Sequence, residues 1–462
     1  MPVSILPALA ALAGLGSAPA EPPPPPSLVI TGIAIVDTET GTISPPRDIL
    51  IKDGLIVAIE GAGHIGRNSA DAVVDGAGKY ALPGLIDVHA HLGDGGARAQ
   101  TDEDREQALR QFLRYGVTTI FIPGGGGGND DQLAGWRARC AAGEIACPGL
   151  YGSGAIITAP WSHPISTIFG LAEEADPAAV YERGASALGA TEDAEALVAT
   201  RVAKGADAIK IVIEDGPPPW YPKPRLSNEQ VAALAHVAHH RSVPIYAHVG
   251  RTAHVASALD GGVDGIMHAP LEPMLEPLLR RMAEARMVLV ATLSLYDGIA
   301  GWTAGRDEDD PYALAGVSKD ALESLAQPGF LAAAPESPED AQGYVKAAGD
   351  NLARAAALGV PLALGTDTDH PFVYPGYAVH EELALMVAAG LTPAEALRAA
   401  TSGGAAFLYK KERLGRLAPG YEADLLILRA NPLGDITGTR AIDMVVSDGR
   451  VVPSPVSTPP TG

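Results

Sequence analysis

Apolar and polar positions change rhythm twice along this chain. From 28 to 59, short β-rich runs are punctuated by turns, and Asp53-Gly54 between two apolar runs predicts a tight hairpin. The same texture returns near the other end, over 423–428 and 444–452, with Asp448-Gly449 at its turn. Two strand-rich ends flanking a long middle predict one small β-sandwich built from both chain ends. The middle alternates apolar strands with helical patterns, which predicts parallel βα units. Strands are expected at 85–91, 117–122, 150–153, 208–213, 244–248, 265–268, 288–293 and 361–367. Eight is the number that closes a (β/α)8 TIM barrel, an α/β fold. Helix starts are expected at Ser227-Asn228-Glu229-Gln230 and Thr392-Pro393-Ala394-Glu395, both capping boxes. About seventy residues separate the last two strands, and from Gly301 onward they are rich in Pro, Gly and acid. They predict a surface insertion that lids a site. The division is then a leader over 1–20, a Pro-rich linker over 21–26, a sandwich from 27–80 plus 412–452, a barrel over 81–411 and a disordered tail over 453–462.

Composition narrows the class. The chain has 462 residues, 47% of them hydrophobic and 19% charged, an ordinary globular balance with room for a large core. A net charge of −22 excludes a nucleic-acid binder and disfavours docking on an anionic membrane. Residues 1–20 carry no charge; an apolar run from Ile5 to Leu15 precedes Ala18-Pro19-Ala20, a small-residue cleavage pattern. A signal peptide and a periplasmic or secreted protein are expected, with an uncleaved cytoplasmic tail as the alternative because no Lys or Arg opens the segment. Cys140 and Cys147 are the two cysteines; they close a small loop in an oxidising compartment or stay as thiols in the cytosol.

Candidate chemistry begins at Pro83-Gly84-Leu85-Ile86-Asp87-Val88-His89-Ala90-His91. In a strand, His89 and His91 project to the same side, about 7 Å apart, so both imidazoles can reach one divalent cation. His-x-His alone leaves a chance pair open. The ends of the later strands decide it, because a barrel gathers its chemistry there. Those ends carry Lys210, His248, His268 and Asp367. Lys210 falls on the inward face, where a lone ammonium needs a partner or a depressed pKa. All of these on one rim predict a metal cluster.

As an ordered set, the stretch 83–91, Lys210, His248, His268 and Gly365-Thr366-Asp367 resembles the amidohydrolase superfamily over nearly the whole chain. The resemblance implies a barrel beside a composite β-sandwich and two divalent ions, Zn2+ suiting the N/O ligand mixture. It implies that His89, His91 and Asp367 hold the first, that His248 and His268 hold the second, and that Lys210, carboxylated by CO2, bridges them. A hydroxide shared between the ions then attacks a polarised carbonyl, with Asp367 as the catalytic proton carrier.

Within the superfamily, His248-Val249-Gly250-Arg251 lacks the acid that deaminases place after this histidine. The segments 157–164, 261–268, 380–383 and 390–393 resemble the branch of imidazolonepropionase-like proteins, Xaa-Pro dipeptidases and ochratoxinase-type amide hydrolases. Trp161-Ser162 stands where that branch has two glycines before the histidine. The expected activity is cleavage of an amide C–N bond in a dipeptide or N-acyl amino acid, a small-molecule substrate. A cyclic amide or lactone hydrolase is the alternative, and an inactive binding relative the remaining one. Three substrate-binding candidates follow. His163 would hydrogen-bond the substrate carbonyl, Tyr221 would donate to the oxyanion, and Arg251 would pair with a substrate carboxylate; packing roles stay open for the first two. The five glycines Gly124 to Gly128 lack a following Gly-Lys-Ser/Thr and predict a rim loop rather than a phosphate cradle. Homo-oligomers are common among such proteins, and no interface is legible here.

Overall fold

The computed structural model describes residues 25–93, 101–216, 222–315, 317, 323, 337–453 and 456. The leader expected over 1–20, most of the linker and of the tail, and Tyr221 lie outside the described residues.

The two chain ends do meet. A nine-stranded sheet takes Leu28–Asp37, Arg47–Lys52, Leu55–Gly61 and Tyr80–Pro83 from one end and Leu425–Leu428, Ile442–Ser447 and Arg450–Val451 from the other. Asp53 and Gly54 take φ values of 51° and 76°, the left-handed pair that lets Lys52 face Leu55 across a two-residue turn. The seam is antiparallel, with Leu82 opposite Leu426. One face buries Ile30, Ile33, Ile49, Ile51, Leu425 and Ile427 together, so neither end can shed the other without exposing this core.

Residues 80–83 run through Gly84 directly into the layer of parallel strands. There β1 (Leu85–Asp87), β2 (Val117–Ile122) and β3 (Gly149–Gly152) form a three-stranded parallel sheet. The strands β4 (Ile156–Thr158), β5 (Ala185–Ala187), β6 (Ile209–Val212), β7 (Ile245–His248), β8 (Gly265–Met267), β9 (Val288–Val290) and β10 (Leu362–Ala363) form a seven-stranded parallel sheet ordered β5-β4-β6-β7-β8-β9-β10. The two sheets meet at both edges. On one side β4 follows β3 after three residues and sets Ile157 opposite Ile211 of β6. On the other, Val88 N–H donates to the Leu364 carbonyl at 2.9 Å. Alternation sorts the side chains: Ile209 and Ile211 pack outward with helix residues such as Leu234 and Ala235, while Ala208, Tyr246, Met267, Val290 and Ala363 pack inward. Both expected capping boxes form, at Ser227 and Thr392.

Each predicted parallel strand has a counterpart, but most stop short at the end that carries chemistry. The sequence pattern runs β1 to His91; the ladder ends at Asp87. The Asp87 carboxylate accepts from the backbone N–H of His89 and of Thr366, each at 3.1 Å, and from Thr366 Oγ1 at 2.6 Å. Thr368 Oγ1 takes the His91 N–H at 2.8 Å. Side chains thus capture donors that a ladder would use. At β9 the strand stops at Val290, and a helix, Leu293–Thr303, begins where the pattern still reads as strand. The split of the third strand into β3 and β4, and β5, are also outside the expectation.

The helix Leu293–Thr303 has no cap of its own; the buried Glu382 carboxylate supplies one, accepting from Leu293 N–H at 2.9 Å and Ser294 N–H at 2.6 Å. Glu382→Ala leaves two buried donors without acceptors and should destabilise the protein by roughly 3 kcal/mol in denaturant unfolding; a loss below about 1 kcal/mol would discard this cap as a structural element. Burial raises the Glu382 carboxyl from the usual 4.5 to about 7. Its folded state therefore binds the proton more tightly, and its share of stability is present below pH 4.5 and lost as pH rises to about 7. Glu382→Gln should flatten that part of the stability–pH curve.

The described part of the insertion divides: Arg306 lies 4.3 Å over the Phe372 ring, five residues after Asp367, while residues 312–315 dock at the opposite end of the strands. Tyr115 OH donates to the Tyr312 carbonyl, their rings meet edge-on at 5.1 Å, and Gln111 Nε2 donates to the Ala315 carbonyl at 2.5 Å. Tyr115 lies two residues before β2, at the entry end of the strands, away from His89 and His91. An aromatic pocket at that end captures Tyr312. Cys140 and Cys147 are disulfide-bonded. Among the described residues no helix is long and apolar enough to cross a membrane.

Candidate metal centre

Five histidines, one lysine and two carboxylates converge at the C-terminal ends of β1, β4, β6, β7, β8 and β10. His89 Nε2 and His91 Nε2 lie 3.3 Å and 3.0 Å from the same atom, Asp367 Oδ1. His91 is oriented by its other nitrogen: Nδ1–H donates to the Gly124 carbonyl at 2.9 Å, so the glycine run serves this histidine rather than a phosphate. Asp367 N–H donates to the His89 carbonyl at 2.7 Å. Asp367 and His268 hold φ values of 59° and 76°, a left-handed backbone uncommon outside glycine and frequent at functional sites.

A second group adjoins the first. One ligand atom each of His163, Glu214 and His248 lie within 4.8 Å of one another. His268 bridges the groups, its ring centroid 4.8 Å from His89 and 4.4 Å from His248. His268 Nδ1 meets Thr292 Oγ1 at 2.8 Å, and Thr292 Oγ1 donates its proton to the Ala291 carbonyl at 2.8 Å. The hydroxyl must therefore accept from Nδ1–H, which leaves Nε2 of His268 with its lone pair. Lys210 is 2% exposed, and its Nζ meets the Met267 thioether at 2.7 Å, a weak acceptor for an ammonium.

The electrostatics favour neutral nitrogen on most of the imidazoles beside the Asp367 carboxylate. Burial, with help from neighbouring cationic groups, brings His163 and His248 down to about 3 and holds His89 and His268 well below the usual value. His91 is raised: burial alone would lower it, but the Asp367 carboxylate outweighs burial. Burial would raise Asp367; His89, His370, His91 and His268 reverse that and hold it well below the carboxylate range. Burial lowers Lys210 to about 7, against the pull of Asp367. Lone pairs on several imidazoles, a low-pKa carboxylate and an amine that can lose its proton form a donor set suited to divalent cations. The residues present fit such ions.

Of the sequence-predicted site residues, His89, His91, Asp367, His248, His268, Lys210 and His163 are brought together. Tyr221 lies outside the described residues. Arg251 does not join the imidazoles; its Nε lies 3.8 Å from Asp215 Oδ1 on the rim. His254, which had no predicted partner, is buried, accepts from Gly250 N–H at 3.3 Å and lies 3.3 Å from Asp215. Sequence reasoning missed Glu214. Its signal was period two: Lys210, Val212 and Glu214 fall on the same side of β6 and its extension.

Residues 80–452 match the family model described as "Amidohydrolase family". The chain belongs to the amidohydrolase family. Ochratoxinase of Aspergillus niger is 28% identical to this amidohydrolase over 407 residues, 81% of this chain and 76% of that protein. The crystal structure of a Xaa-Pro dipeptidase with methionine bound in its active site superposes with a TM-score of 0.72 at 22% identity, over 92% of this chain and 99% of that one. The A. niger ochratoxinase crystal structure gives 0.72 at 21% identity, over 95% and 98%. At these identities the two structures speak for the fold, a parallel barrel with helices outside. Metal dependence is general in the family, in keeping with the donor set of this amidohydrolase.

Proposed function

We propose that the protein is a binuclear metal-dependent hydrolase that cleaves an amide C–N bond in a dipeptide or N-acyl amino acid. The observation that carries the reading is the convergence of two histidine Nε2 atoms on Asp367 Oδ1 beside a buried, readily deprotonated Lys210. Relatives that act on Xaa-Pro dipeptides and on ochratoxin support the amide bond as the target. In this reading the two parallel sheets close as one eight-stranded barrel with the mixed sheet packed beside it as a sandwich. His89, His91 and Asp367 would hold one ion and His248 and His268 the other, and Lys210, carboxylated, would serve both. Zn2+ matches these ligands. When bound, such ions make hydroxide available at neutral pH and polarise the carbonyl. The chain does the rest. Asp367, a low-pKa carboxylate, accepts the proton of the attacking water and passes it to the leaving nitrogen. His163 donates to the substrate carbonyl, with Tyr221 as a further oxyanion donor. Trp161, with the Lys223 ammonium 3.9 Å above its ring, walls the loop that carries His163. Arg251 on the rim receives the substrate carboxylate.

The test is a panel of dipeptides, N-acyl amino acids, cyclic amides and lactones, offered to Zn2+-reconstituted protein and read by mass spectrometry. Release of a free amino acid is expected. Ring opening with linear amides untouched would overturn the peptide reading and the role of Arg251. Protein that binds no divalent ion after reconstitution with Zn2+ and bicarbonate would overturn the hydrolase reading.

A further inference from the structure

His248 is held differently from its neighbours. His91 and His268 each donate from Nδ1, to the Gly124 carbonyl and to Thr292 Oγ1, and so present Nε2 to the centre. His248 instead bonds through Nε2, and its partner is a buried carboxyl, Glu214 Oε2. Glu214 is 7% exposed and has been given no role in the chemistry above. Its place is built. A Cβ at position 250 would fall 2.4 Å from Glu214 Oε1, so the absence of a side chain at Gly250 leaves the carboxyl room over the backbone after β7. The His248 ring is also clamped from both sides, by His163 at a centroid distance of 4.7 Å and by His268 at 4.4 Å. Packing sets where the ring stands. It does not set which nitrogen carries the proton.

We propose that Glu214 is a positioning residue that fixes His248 in the Nε2–H tautomer, committing Nδ1 to the second of the two ions and thereby setting the affinity of that ion alone. An ionised carboxylate only accepts, so a bond to it places the proton on Nε2 and the lone pair on Nδ1. Removing such a partner of a metal-ligating histidine weakens binding by about 10- to 100-fold. The inference rests on the binuclear reading.

Metal-free protein is titrated with Zn2+ against a chromophoric chelator, and nitrogen chemical shifts of 15N-histidine-labelled protein report the tautomer. Wild type should bind two ions and show His248 protonated at Nε2, assigned by loss of the signal in His248→Ala. Glu214→Ala should bind the second ion about 10- to 100-fold more weakly, leave the first unchanged and mix the His248 tautomers. Glu214→Gln, whose amide oxygen still accepts from Nε2–H, should recover much of the loss. Unchanged affinities in Glu214→Ala, equal weakening of both ions, or no recovery in Glu214→Gln would each overturn the inference while leaving the binuclear reading intact. Wild-type protein that binds fewer than two ions would overturn both.

Discussion

Asp367→Asn should lower kcat/KM by roughly 10³- to 10⁴-fold while the metal-free protein unfolds within about 3 °C of wild type. The substitution keeps shape and an oxygen that can face a cation, but an amide can neither take a proton from water nor deliver one to a leaving nitrogen. The backbone that shapes this corner is indifferent to the change: Asp367 N–H bonds to the His89 carbonyl at 2.7 Å in either variant. The carboxylate also holds His91 above its usual value. In the variant His91 should fall, because the largest opposition to burial is removed. Activity within tenfold of wild type would remove Asp367 from the reaction, whatever its part in binding ions. Loss of activity together with loss of the folded state would make it structural instead.

How much of this centre could be read in advance depends on which physical rule places each residue. Lys210 and His248 sit within strands, where period two sends alternate side chains inward, and their placement follows from the pattern. His89, His91 and Asp367 were found for a reason that is only half right. They do converge, yet they stand past the ladder, held by Asp87, Thr366 and Thr368, whose side chains take the backbone donors. Such local capture leaves no periodic trace, so the strands were drawn too long. Glu214 was missed because its partner, His248, is distant in sequence. Its inward phase from Lys210 was visible. The docking of Tyr312 on Tyr115 is a contact across 197 residues, and no local pattern encodes it. The Asp53-Gly54 turn is the opposite case, fixed by two neighbouring residues that tolerate positive φ.

Lys210→Ala should lose the second ion and most activity, roughly 10²- to 10³-fold, and regain part of it with millimolar acetate or propionate. The argument starts from the burial of Lys210. A 2% exposed ammonium whose contact among the described residues is a thioether is expensive, and burial brings its pKa down to about 7. Near neutral pH a substantial fraction is therefore the free amine. That amine can attack CO2, forming an N–C bond and releasing one proton, to give a carbamate. The product replaces an awkward cation by an anion with two oxygens, in a pocket otherwise rich in neutral imidazoles. Alanine removes the amine and leaves a cavity lined in part by Met267, which a short carboxylic acid can enter to present two oxygens at the same place. Protein labelled with 13C-bicarbonate should show one carbamate carbon resonance that is absent from Lys210→Ala. Longer or branched acids should fail, since the vacated volume is that of one side chain. Full activity in Lys210→Ala, or a carbamate resonance that survives the substitution, would sink the bridging role and leave Lys210 as a buried ammonium that merely balances the charge of Asp367.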